Sequence, residues 1–238
     1  MAKTRAVRAV KRGTVAKPKA VSTWQDAVPS RSMQREMKRE ALLRAAVSAF
    51  NRRGFGQTSL EEIAQSLGVT KAALYYYFPT KSALVAACFE RAMRVANDSL
   101  AAAKRDGRDG RDKLTLMLRL YLRAMISESN ESLLLTEEHA LTPGDRARLV
   151  EQRDAFEHEL RNLVKAGIRD GSIVPCDPKL TVFVLLGAVH WVPKWFTLNG
   201  AWTDAQVSAA ICELLDRMLS TSPAPRLTEN VAALPAAD

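Results

Sequence analysis

Cysteine, histidine and aromatic residues are scarce in this chain of 238 residues. There are three cysteines and three histidines, and Phe, Trp and Tyr together make up 6%. Cys88, Cys176 and Cys212 stand far apart with no CxxC pair, which excludes a zinc ribbon and a disulfide framework. Reduced thiols in a cytoplasmic setting are the simplest reading. His139, His158 and His190 show no HExxH spacing, and neither a Walker-type loop nor GxSxG occurs. The paired acids Glu137-Glu138 and Glu157/Glu159 read as solvated helix faces. Nothing here assembles a catalytic constellation, so the expectation is a protein that is not an enzyme and needs no cofactor or metal. Long apolar runs are also missing. The most apolar stretch, Val182–Val192, has eleven residues, too few to span a bilayer. No alternating strand pattern and no internal repeat occur, which leaves an all-α fold.

Acidic residues are absent from the first 22 positions, where Lys3, Arg5, Arg8, Lys11, Arg12, Lys17 and Lys19 lie. The whole chain carries +9. Residues 1–40 account for +8 of it, so the remainder is nearly neutral. An asymmetry of this size points to a polyanionic partner. Residues 1–30 read as a disordered basic arm. Either it follows phosphates or enters a minor groove, or it is a solubilising tail, or an over-extended start with Met33 as the true beginning.

The richest segment is TSLEEIAQSLGVTKAALYYYFPTK, residues 58–81. Thr58 and Ser59 each have a glutamate three positions on, so a capping box is available in either register. Leu60, Ile63, Ala64 and Leu67 make one apolar face, and Gly68 supplies a position that tolerates φ > 0. Thr70 caps a second helix from Lys71 to Phe78, and Pro79 stops it. Eight residues do not hold a helix in water alone; Leu74 and Phe78, four apart, are its anchors. Thr70, Lys71, Ala72, Ala73, Tyr75 and Tyr76 are left on the outer face. Small side chains there let a backbone approach base edges in a major groove.

At this point the chain resembles the TetR family of one-component regulators. The matching pieces are AAVSAFNRRGF (45–55), residues 58–78 and Lys81. Tyr77 departs from the pattern, since a histidine is common there. The resemblance implies that Thr58, Tyr75, Tyr76 and Lys81, with Tyr77 beside them, grip phosphates, and that Thr70, Lys71, Ala72 and Ala73 face the bases. The alternative is that the tyrosines are core of a small bundle; three adjacent residues of a helix cannot all point inward.

Further helices are expected over Ser32–Arg53 (Met37, Ala41, Leu42, Ala45, Ala46, Ala49 and Phe50 inward, Gly54 at the end) and from Thr80 to about Lys104. Others are expected over Asp112–Ile126, around Glu131–Leu141, and from Thr142 to about Ile168 with Gly171 closing. The last two are placed at Pro178–Phe196 and Thr203–Leu219. The domain plan is therefore an arm (1–30), a three-helix DNA-binding head with a helix-turn-helix (31–84), a helical ligand-binding and dimerisation domain (85–220) and a disordered tail (221–238). The resemblance implies a homodimer closed by a four-helix bundle of the last two helices. Val184, Gly187, Val207, Ile211, Leu214, Leu215 and Met218 are candidates for that interface or for the protomer's own core. It also implies a pocket coupled to the two heads. Phe89, Met117, Tyr121, Met125, Phe183, His190, Trp191 and Trp195 are candidates to line it or to be plain packing.

GAVHWVPKWFTLNGAWTDAQV (187–207) is similar to the tail of TetR-type regulators of lipid and steroid-ring degradation, whose effectors are acyl-CoA thioesters. Trp191 and Trp195 fall on one helical face with Lys194 between them, next to Pro193, which is expected to kink the helix. The function this implies is a ligand-responsive transcriptional regulator, a repressor, binding a palindromic operator as a dimer. It would be released by a small apolar or acyl-CoA-type effector. The alternative is a constitutive DNA-binding or architectural protein whose body only dimerises.

Overall fold

The computed structural model describes residues 30–127, 135–197 and 200–221. The basic arm up to residue 29, the expected helix start at Glu131, Asn199 and the tail from residue 222 lie outside them. The described residues form eight α-helices and a short 3-10 helix, with no strand among them. The chain divides into two units, residues 1–37 and 38–238. Of the first, residues 30–37 open helix α1 (Arg31–Gln57), with Ser30 Oγ accepting from the Met33 amide at 3.2 Å. Met37 is exposed, against the expectation that it faces inward.

In the second unit α1 buries Leu42, Leu43, Ala46, Val47 and Phe50. Gly54 interrupts it at φ 78°, a value costly for any residue with a Cβ. Helix α2 (Leu60–Ser66) takes the Ser59 register of the capping box: the Glu62 amide donates to Ser59 Oγ at 3.1 Å and the Ser59 amide to Glu62 Oε2 at 2.9 Å. The turn to α3 (Lys71–Tyr77) passes through Gly68 at φ 64°, and Thr70 caps α3. Leu74 and Phe78 are buried beside Ile63 and Phe50, burial worth about 1.5–3 kcal/mol for each large side chain.

Thr80 caps α4 (Lys81–Asp106), which runs on through Leu84 into the body without a break. Helix α5 (Gly110–Ile126) is central there, packed against α4, α6 (Pro143–Asp170), α7 (Pro178–Trp195) and α8 (Asp204–Leu219). Asp109 caps α5, which starts at Gly110 rather than at the expected Asp112; the other starts are capped at Thr142 before Pro143 for α6, Asp177 before Pro178 for α7 and Thr203 for α8. Gly171, at φ 78°, closes α6. The stretch Leu135–Ala140 is 3-10 rather than α. Arg111 ties the start of α5 to the end of α8, its Nη1 donating to Ser220 Oγ at 2.8 Å and its Nε lying 2.9 Å from Asp216 Oδ1.

Helix α7 carries more apolar surface than one protomer covers. Val182, Leu185, Val189 and Val192 are buried, while Leu180, Phe183, Val184, Trp191 and Trp195 stay exposed. On α8, Leu214 and Met218 are exposed and Ile211 is half-buried. Val207 and Leu215 correct the interface expectation, because both are packed in the protomer's own core and have no outward face to offer.

Candidate functional site

The first candidate surface is the outer side of α3. With Leu74 fully buried and Phe78 beneath it, Thr70, Lys71, Ala72, Ala73 and Tyr75 are exposed, and Tyr76 is 67% exposed. Tyr77 is half-buried, its ring edge-on to Tyr76 at 5.2 Å. Lys71 forms an ion pair with Glu61 and lies over the Tyr75 ring at 5.5 Å. That hydrogen bond and charge raise the Lys71 pKa and lower that of Glu61. The ammonium is therefore held at the surface by a carboxylate on the neighbouring helix.

Thr58, Tyr75 and Lys81 line one open depression of about 590 Å³. Within it, Thr58 does not suit a side-chain grip on phosphate. It is 2% exposed, and its hydroxyl donates to the Gly54 carbonyl at 2.9 Å, locking the turn after the glycine break. Lys81 is half-buried; its Nζ donates to the Phe55 carbonyl and lies 3.9 Å from the centroid of the Phe55 ring. It pins α4 to the end of α1 as well as facing the depression.

The second candidate is a cavity of about 490 Å³ among α4, α5, α6 and α7. Phe89, Tyr121, Met125, Phe183, His190 and Trp191 line it, as the sequence led us to expect. Met117 does not, being wholly buried in the body core one turn before Tyr121. Trp195 does not either; its ring packs edge-on to Trp202 at 6.2 Å. Pro193 lies in the last turn of α7, and the helix continues through it to Trp195. What sequence reasoning missed is the contribution of α6: Leu149, Arg153, Phe156 and Glu157. The i, i+3, i+4 spacing of the last three was the available signal. Glu157 is no free surface acid, since it pairs with Arg161.

Inside the cavity the Tyr121 hydroxyl and His190 Nε2 are 3.0 Å apart. Burial, with the charge of Arg153 adding to it, pushes the His190 pKa down to about 4, and burial lifts Tyr121 to about 12. Both groups are neutral near pH 7. Arg153 pairs with Glu138, while Lys194 on the wall has no ion-pair partner among the described residues. Phe89 and Leu149 belong at once to this wall and to the buried cluster that holds α3. Among the described residues no group of His, Cys, Asp and Glu is placed to hold a metal, and no helix is long and apolar enough to cross a membrane.

Comparison with known proteins gives matches over both regions. Residues 42–88 match the family described as "Bacterial regulatory proteins, tetR family", and residues 107–219 match "Tetracyclin repressor-like, C-terminal domain". HTH-type transcriptional regulator RutR of Escherichia coli (strain K12) is 28% identical over 187 residues, covering 72% of this chain and 82% of the relative. HTH-type transcriptional repressor KstR2 of Rhodococcus jostii (strain RHA1) is 26% identical over 191 residues, covering 77% and 92%. Among solved structures, AibR in complex with isovaleryl coenzyme A and operator DNA aligns at a TM-score of 0.64 and 26% identity, covering 77% of this chain and 98% of that one.

Proposed function

Since this chain belongs to the TetR family of transcriptional regulators, we propose that its body couples an acyl-CoA-type effector to the hold of its head on DNA. The protein is a ligand-responsive repressor that binds operator DNA as a homodimer. We read it as a cytoplasmic regulator without a catalytic role, a reading that the membership supports. In our reading the head spans residues 31–84 and the body 85–220. Thr70, Lys71, Ala72 and Ala73 face base edges in the major groove, while Tyr75, Tyr76 and Lys81 meet phosphates. The exposed apolar residues of α7 and α8, Val184, Leu214 and Met218 among them, close the dimer, and its twofold axis matches a palindromic operator.

The observation that carries the coupling is the shared wall. Phe89 and Leu149 touch the cavity on one side and the core beneath α3 on the other. A ligand that fills the cavity must displace or brace those side chains. Packed cores respond to such pressure by shifting whole helices rather than by yielding locally. The ligand then favours whichever head spacing fits it better, and operator affinity changes by that difference. A body that served dimerisation alone has no need of such a hollow.

Two features support an acyl-CoA-type ligand. The cavity wall is mostly apolar, suited to an acyl chain, and Lys194 supplies a cation for an anionic head group. AibR, of the same architecture, was solved with isovaleryl coenzyme A. The test is operator release, read by fluorescence anisotropy on operator DNA recovered from genomic fragments. CoA thioesters are expected to release the protein at micromolar concentration, and free acids and cationic drugs are not. Release by the drugs alone overturns the acyl-CoA reading.

A further inference from the structure

The polar equipment of the cavity says which part of such a ligand is recognised inside it. Tyr121 and His190 meet at 3.0 Å and have no other hydrogen-bond partner among the described residues. Between them a neutral phenol and a neutral imidazole carry two acidic hydrogens, the O–H and one N–H. Their mutual bond consumes one. When His190 Nε2–H donates to the phenol oxygen, the Tyr121 O–H is left; when the phenol donates, the imidazole keeps its Nδ1–H. In either tautomer one donor remains without a partner beside an apolar hollow. A donor left unmet in such a place is costly, so an acceptor brought by the ligand gains more there than in water.

The wall's other ionised groups do not change this balance. Arg153 is neutralised by Glu138 and Glu157 by Arg161, which leaves Lys194, in the last turn of α7, as the uncompensated cation. The His190 ring stays uncharged at neutral pH, so it offers no counter-ion to a carboxylate.

We propose that the Tyr121–His190 pair is a recognition element for an uncharged carbonyl oxygen of the effector, the thioester carbonyl in the acyl-CoA reading, and discriminates against the free carboxylate. This rests on the assignment of the cavity as the effector site. The carbonyl accepts a hydrogen bond from the remaining donor of the pair, the acyl chain lies against Phe89, Met125 and Phe183, and the anionic portion runs out past Lys194.

The probes are isovaleryl-CoA and octanoyl-CoA, the S-alkyl CoA thioethers of equal chain length, which lack only the carbonyl oxygen, and the free acids. Binding to the full-length protein is measured by calorimetry. Wild type is expected to prefer thioester over thioether by about tenfold, the worth of one well-placed hydrogen bond. The double variant Tyr121→Phe/His190→Leu, which removes the donor in either tautomer, is expected to abolish that preference with little change in thioether affinity; its melting temperature confirms that the variant is folded. Equal binding of thioester and thioether by wild type overturns the carbonyl assignment and leaves the effector reading intact. A preference that survives in Tyr121→Phe/His190→Leu overturns the role of the pair. Failure of every CoA derivative to bind, thioether included, removes the effector reading and this inference with it.

Discussion

At the scale of single residues, two side chains show how environment sets a role. Lys71 is exposed and held by Glu61, so its free-energy contribution to the fold is small. In our reading its contribution to DNA binding is larger, because it stands at the start of the outward helix. Lys71→Ala is expected to weaken operator binding on the order of tenfold and to relax base preference at one position of each half-site. Lys81→Ala is expected to weaken all sequences alike. Binding measured on operator and scrambled duplexes separates the two patterns. His190 is the opposite case, a buried base kept neutral. Its folded pKa of about 4 lies below the ordinary histidine value of 6.5, so the unfolded chain binds the extra proton first. Stability is therefore intact above pH 6.5 and falls as pH drops toward 4, by about 2 kcal/mol at pH 5 from this group. Melting curves of wild type and His190→Gln at pH 7 and pH 5 check it. The variant is expected to lose less on acidification.

At the scale of elements, the helices were legible because their ends are local chemistry. Ser59, Thr70, Thr80, Thr142, Asp177 and Thr203 cap the helices that the spacing predicts, and Gly54, Gly68 and Gly171 take positive φ where turns are needed. What the spacing could not show is where two elements touch closely. A Cβ on Gly110, at the start of α5, would lie 2.2 Å from the backbone nitrogen of Gly167 on α6. A side chain has no room there, and the obstacle is backbone, which cannot swing away. Gly110→Ala is expected to destabilise the protein by about 1–3 kcal/mol, seen as a lowered melting temperature. Gly144→Ala, with open space around it, is expected to be neutral or slightly stabilising.

At the scale of the whole molecule, α8 has two faces, and in our reading the outer one is where protomers meet. Leu214 is 49% exposed and Leu215, its neighbour, is 5% exposed. Leu214→Asp is expected to leave the protomer folded, shift the protein from dimer to monomer in sedimentation velocity, and reduce operator binding with it. Leu215→Asp is expected to unfold the body instead, since it buries a charge without a partner. A folded monomer from Leu215→Asp, or an intact dimer from Leu214→Asp, would reverse our division of that helix.

The amino-acid order by itself determined the all-α class, the caps and breaks, the anchors of α3 and its outward residues, since these depend on neighbours within a few positions along the chain. It also offered eight aromatic, Met and His residues as candidates for a pocket, of which six line the cavity. Only the tertiary structure decided that Met117 joins the core while Tyr121, one turn on, faces the cavity, and that α6 supplies Arg153, Phe156 and Glu157 to its wall. Likewise, only the fold turned the Thr58 hydroxyl inward and took Val207 and Leu215 out of the interface. The physical reason is the same throughout: hydrophobic periodicity states that a helix has a buried side, but which neighbour covers each stretch of that side is settled by packing among segments far apart in the chain.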